Sequence, residues 1–183
     1  GIKISKKEIR RFIGLPLSGI LKGEGVYSKD LEKRINEESI DLIKRYSHKV
    51  EAFPDSIEIL KFLKKKNVKI CVASSSRDDW IRTILKKNRM AKYVDSFVSG
   101  EDVKRPKPYP DIFIESFRTL GEKPSNGVAI GDRETDTWPA MKIGAIGILI
   151  DRENLFKDPK ADYVVKNFSE LRELLEKGKN DIV

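Results

Sequence analysis

Two textures divide the chain. Over residues 1 to about 52 the apolar positions follow a helical period. Leu31, Ile35, Ile40, Ile43 and Tyr46 recur at three- to five-residue intervals and predict one face of a long helix beginning near Ser28. Ser5 followed by Glu8 forms a capping box that opens a short helix through Phe12 and Ile13. Gly14-Leu15-Pro16 interrupts it, and a further short helical piece is expected before Gly23-Glu24-Gly25. After Phe53-Pro54 the pattern changes to short apolar runs alternating with amphipathic stretches. Asp55 is expected to cap a helix that turns Ile57, Leu60 and Leu63 inward and ends at Asn67. Val68 to Ala73 predicts a buried strand, Ser74-Ser75-Ser76 a turn, and Arg77 to Lys87 a helix. Further strands are expected at about 95–98, 127–130, 145–150 and 162–165, with helices at about 110–120, 133–143 and 168–177.

Strands separated by helices of this length imply βαβ crossovers and a parallel sheet covered on both faces. The expected architecture is therefore α/β, a doubly wound parallel domain over residues 53–183, preceded by a small all-helical module over residues 1–52. In such sheets ligands bind beyond the carboxyl ends of the strands. The polar residues that directly follow each apolar run are thus the ones to weigh.

Composition narrows the class. The 183 residues carry 37 Lys and Arg against 29 Asp and Glu, a net charge of +8. That excess invites a nucleic-acid reading, but the lysines are spread along the chain, and the dense run Lys64-Lys65-Lys66 falls where a helix should end and complements its dipole. With no aromatic interleaving, zinc finger or RNA-recognition signature, the charge reads as a solvated surface. A single cysteine, Cys71, excludes a disulfide framework and a cysteine zinc site; it is expected in the core. No apolar run approaches the roughly 20 residues a membrane helix needs, so the expectation is a soluble, cytoplasmic protein. Abundant Lys, Glu and Ile with no Gln is the composition of a heat-adapted protein.

Three segments can carry chemistry. Ser74, Ser75 and Ser76 offer hydroxyls and backbone N–H groups to an anion at a strand end, or simply form a polar turn with a helix N-cap. Lys107 sits in Lys104-Arg105-Pro106-Lys107-Pro108-Tyr109-Pro110-Asp111, where flanking prolines aim its ammonium with little entropy left to lose; the plainer reading is a turn-rich loop whose Asp111 helps start a helix. Val128-Ala129-Ile130-Gly131-Asp132 ends an apolar strand in a carboxylate, and Asp136 follows four residues later. If Asp132 begins the helix, both carboxylates lie on nearly the same side and suit Mg²⁺, which takes oxygen ligands; otherwise Asp132 is only an N-cap.

Ser74 after an apolar strand, Lys107 in Lys-Pro-x-Pro-Asp-Ile-Phe, and Gly131-Asp132-x-x-x-Asp136 resemble motifs II, III and IV of the haloacid dehalogenase-like superfamily, in order and spacing. The helical first segment resembles the small cap of its phosphoglycolate phosphatase and β-phosphoglucomutase branch. The resemblance implies phosphoryl transfer through an aspartyl-phosphate with Mg²⁺ as cofactor and a small phosphorylated metabolite as substrate. It assigns phosphate binding to Ser74, assisted by Ser75 and Ser76, and to Lys107, with Ser74, Lys107 and Asp132 catalytic and Asp132 and Asp136 on the metal. It also places Gly14, Leu15 and Pro16 in a cap loop that faces substrate.

One departure stands out. The family's motif I, an apolar strand ending in Asp-x-Asp that supplies the nucleophile, is absent from these residues. That strand lies at the centre of the family's sheet, so the sheet expected here is split in two. Asp151, which ends the run Ile146–Ile150, imitates motif I only superficially, because it lacks the second aspartate and follows motif IV. The leading expectation is a Mg²⁺-dependent phosphatase acting on a small phosphomonoester. The alternatives are a β-phosphoglucomutase-like phosphosugar mutase and an inactive chain or fragment completed by a partner.

Overall fold

The computed structural model describes residues 17–177. The Ser5 capping box and the Gly14-Leu15-Pro16 loop lie outside the described residues. The chain divides into two compact units, Gly1–Ser47 and His48–Val183.

In the first unit, α1 (Leu17–Gly23) and α2 (Lys29–Tyr46) are the described helices. Ser28 starts α2 as expected: its hydroxyl accepts the Leu31 N–H at 3.1 Å, meeting one of the donors that a helix start leaves unpaired. Lys44 and Arg45 occupy the last turn, where positive charge complements the dipole.

The second unit alternates strand and helix. In chain order it runs α3 (Ser56–Lys65), β1 (Cys71–Ser74), α4 (Asp78–Lys87), β2 (Ser96–Ser99), α5 (Asp111–Leu120), β3 (Val128–Gly131), α6 (Glu134–Met141), β4 (Ile146–Ile150), β5 (Tyr163–Val165) and α7 (Phe168–Lys177). β1 starts three residues later than the apolar run suggests. Asn67, at φ 58°, stops α3, and the Val68 N–H still bonds back to the Leu63 carbonyl, so pairing begins only after Ile70. The Asp95 carboxylate takes the Ile70 N–H at 2.7 Å and the Lys64 ammonium at 2.8 Å, tying the end of α3 to the approach of β2. Gly121, at φ 67°, ends α5 in the left-handed conformation that glycine adopts without a Cβ penalty.

All strand pairs are parallel, and they form two sheets. β1 pairs with β2 in the register Cys71↔Ser96 to Ser74↔Ser99. β3 pairs with β4, and β4 with β5, through Val128↔Ile146 and Ile148↔Tyr163. β1 and β3 therefore each have one strand neighbour among the described residues. The first strand is less covered than expected: all four β1 residues are half-buried, since pairing covers one edge, while Cys71 and Ala73 pack against the second apolar cluster.

Two apolar clusters hold the unit together. Ile59, Ile148, Ile150, Val165, Leu171 and Leu175 pack α3 and α7 onto β4 and β5. Val98, Ile112, Phe113, Ala129 and Ala140 join β2 to β3 through α5 and α6, so side-chain packing spans the two sheets where backbone pairing does not. No helix among the described residues is long and apolar enough to cross a membrane.

Candidate active site

The carboxyl ends of β1 and β3 meet through one side chain. Lys107, 7% exposed, leaves the loop before α5 and donates from Nζ to the Ala73 carbonyl on β1 (2.9 Å) and to Asp136 Oδ1 (2.7 Å). The face of Phe113 lies 5.3 Å from the same ammonium and adds a cation–π contact. A buried ammonium needs such partners, because removing it from water is costly without them. Its loop is braced by Arg105, which forks onto Asp111 at 3.0 and 2.9 Å and stacks over Tyr109. The hydrogen bond from Arg105 holds the Asp111 carboxyl below the usual carboxylate range. Asp111 thus opens α5 from its first turn while anchoring the loop.

Asp136 is positioned by the turn after β3. α6 begins at Glu134 with Arg133 as N-cap, so Asp132 neither begins the helix nor caps it, contrary to both sequence expectations. Asp136 instead reaches back: its Oδ2 accepts the Arg133 N–H at 3.2 Å, meeting an unpaired helix-start donor. Gly131 makes the approach possible. A Cβ there would lie 2.2 Å from Asp136 Cβ and 2.4 Å from Oδ2, so only glycine lets the carboxylate fold against the strand end. The Asp132 side chain is 75% exposed, with Arg133 Nε 3.7 Å away.

Ser74 follows Ala73 at the end of β1, and its hydroxyl accepts the Ser76 N–H at 3.1 Å. That bond closes a local turn, but no serine caps the following helix, whose N-cap is Arg77. Glu101 accepts the Asp78 N–H at the start of α4, and Gly100 approaches the Ser75 carbonyl so closely that a Cβ would sit 2.8 Å from it. The two βα loops of this sheet are therefore packed together beside Ser74.

The structure thus joins Lys107, Asp136 and the β1 end, leaves the Asp132 side chain exposed on the turn before α6, and keeps Ser74 to Ser76 on the loop after β1. Arg133 and Glu101 escaped the sequence reading, as neither carries a local pattern that marks it. Asp151 shapes the loop after β4. Its carboxylate, on a residue only 5% exposed, accepts the N–H groups of Leu155 (2.8 Å) and Phe156 (3.0 Å).

The chain is similar to several known proteins. The pyrophosphatase PpaX of Bacillus cereus is 23% identical over 179 residues, covering 93% of this chain and 80% of that protein. A hydrolase from Pseudomonas syringae superposes with a TM-score of 0.85 at 24% identity, over 97% of this chain and 85% of the other. A HAD phosphatase from Thermococcus onnurineus gives 0.69 at 24% identity, over 95% and 92% of the two chains. The model of the haloacid dehalogenase-like hydrolase family matches residues 1–150, and the chain belongs to that family.

Proposed function

We propose that the protein is a Mg²⁺-dependent phosphatase that hydrolyses a small phosphomonoester through an aspartyl-phosphate. The observation that carries this reading is the buried Lys107 ammonium, held between the β1 end and Asp136. A fixed cation in a site of low dielectric stabilises charge developing on a transferring phosphoryl group, the main work of such catalysis. Ser74, with Ser75 and Ser76 on the same loop, would hydrogen-bond the phosphoryl oxygens.

The donor set fits Mg²⁺, which is commonly held by one or two carboxylates with waters and substrate phosphate completing its shell. Asp132 is open to solvent, and each Asp136 oxygen accepts one described hydrogen bond and keeps a lone pair. No group of three or more His, Cys, Asp or Glu forms a metal cluster among the described residues, and Asp132 and Asp136 are the carboxylates proposed for the ion. Bound there, the ion would neutralise phosphate charge. Lys107 holds Asp136 in place, and Gly131 leaves it the room.

The reading also requires a carboxylate nucleophile. Such a group belongs at the carboxyl end of a parallel strand between β1 and β3, within reach of Lys107. The same polypeptide or a partner could supply that strand, and without it the chain would be inactive. A phosphosugar mutase is the second enzymatic reading. The Gly131-Asp132-x-x-x-Asp136 form favours the phosphatase, since mutase-like relatives more often carry Glu-Asp-Ser in that motif.

Intact mass and N-terminal sequencing of the cellular protein come first, followed by phosphate release from phosphomonoesters and pyrophosphate with and without Mg²⁺. Mg²⁺-dependent release that falls roughly 100-fold or more in Lys107→Ala and Asp132→Asn supports the proposal. Conversion of a hexose phosphate to its isomer without net phosphate release would replace it with the mutase. A protein carrying the additional strand yet inert toward every substrate would refute both.

A further inference from the structure

The first turn of α6 carries Asp136, yet the helix is poorly equipped to hold that turn by itself. It has 8 residues, and isolated short helices are marginal in water. Pro139 lies inside it and has no N–H to offer the Thr135 carbonyl, so one bond of the turn around Asp136 cannot form. The segment Pro159–Asp162, ahead of β5, holds the turn from outside. Glu134 Oε1 accepts the Lys160 N–H at 2.9 Å, and Thr137 Oγ1 donates to the Lys160 carbonyl at 2.7 Å. Thr137 is fully buried, and its hydroxyl bond reaches 23 residues along the chain. Thr83 and Ser116 instead donate to carbonyls of their own helices, a common course for a helical hydroxyl. The Lys160 and Lys142 ammoniums lie 4.9 and 3.6 Å from the Trp138 ring and add cation–π contacts. The far end of the segment is fixed to β4: Asp162 donates its N–H to the Gly147 carbonyl (2.9 Å) and accepts the Gly147 N–H on Oδ2 (2.8 Å). Gly147 also lets α6 lie close, since a Cβ there would be 2.8 Å from the Met141 side chain and 3.1 Å from Thr137 Cβ.

We infer that Pro159–Asp162 is a clasp that fixes the rotation of α6, and that Thr137 and Glu134 are positioning residues acting through Asp136. Asp136 and Thr137 are consecutive, and successive side chains of a helix point about 100° apart. Holding the Thr137 hydroxyl against the Lys160 peptide therefore sets the direction from which Asp136 meets Lys107. The consequence for Mg²⁺ rests on the proposed function; the consequence for Lys107 does not.

The Lys107 ammonium, observed by ¹⁵N NMR of the whole protein and assigned by its loss in Lys107→Arg, gives the direct readout. Its protons should exchange with water roughly tenfold faster in Thr137→Val, which keeps the shape of the side chain and removes the donor. Thr137→Ser keeps the hydroxyl and should stay within about twofold of wild type. Glu134→Ala should behave as Thr137→Val does, and Glu134→Gln, which still offers an acceptor, as wild type does. Thermal melts identify the variants that fold, and the Glu134 pair carries the test if Thr137→Val does not. Unchanged exchange in the folded Thr137→Val and Glu134→Ala variants overturns the inference, because a purely structural hydroxyl lowers stability without moving Lys107. A wild-type ammonium that exchanges as fast as an exposed lysine's overturns it too. Calorimetric titration with Mg²⁺ alone separates the two readings. Affinity should fall roughly tenfold in Thr137→Val and recover in Thr137→Ser. Binding as tight as wild type in Thr137→Val overturns the action through Asp136. A wild type that binds no Mg²⁺ refutes the metal reading, and the Lys107 exchange then decides the clasp.

Discussion

Replacing Lys107 with methionine tests the site most directly, because the substitution keeps an unbranched apolar stem and deletes only the charge and its donors. The lysine side chain is 8% exposed and that of Asp136 16%, so water screens the pair little. Removing one partner of a buried ion pair costs about 3–5 kcal/mol, chiefly because the other charge is left uncompensated. Asp136 keeps the Arg133 N–H and some solvent, which places the expected loss near the lower end, about 3 kcal/mol. For a chain of this size that is a melting-temperature drop of about 6–12 °C. Urea unfolding gives the free energy, and Asp136→Asn together with the double variant closes a mutant cycle. The double variant should recover about 2 kcal/mol relative to the sum of the single changes. A Lys107→Met cost below about 1 kcal/mol, or additive single changes, would refute the claim that the pair is a desolvated, coupled unit.

Gly131→Ala should displace the Asp136 carboxylate, since the new Cβ falls on it; a loss of about 1–3 kcal/mol is expected in denaturant titration, with weakened Mg²⁺ activation. Asp151→Ala should cost about 1–2 kcal/mol in the same titration by removing the acceptor of two half-buried N–H groups, while leaving phosphate release per folded molecule unchanged; a loss of turnover instead would make Asp151 part of the chemistry. Burial acts to raise the Asp55 carboxyl, but the Arg152 guanidinium and the Phe168 N–H together outweigh it and hold the group below its ordinary value. A depressed carboxylate contributes stability that is present above the unfolded value of about 3.9 and lost as pH falls through the folded one. Asp55→Asn should therefore be less stable than wild type at pH 7, and the gap should close below about pH 4; a gap that stays constant with pH would contradict the charge assignment.

Much of the fold is written locally. The Ser28 cap and the α2 period lie within a few residues of what they specify, and so do the apolar runs that became β2 to β5. The polar residues that end those runs pointed to the site for the same reason, since parallel strands deliver their carboxyl ends to one side. Where local signals competed, the tertiary structure decided. Asp55 looks like a helix cap in any window of ten residues, but a guanidinium 97 positions away and an N–H 113 positions away offer it charge and a second donor, and it takes those. Asp132 looks like the helix start, but Asp136 folds back over Gly131 and claims the Arg133 N–H, so the helix opens two residues later. Lys107 and Asp136 are 29 residues apart, and nothing in either segment names the other as partner. Periodicity and caps act over one or two turns of chain and can be read from sequence. Ion pairs and strand neighbours depend on which distant segments packing brings together, so the extent of β1 burial and the pairing at Lys107 emerged only once the chain was folded.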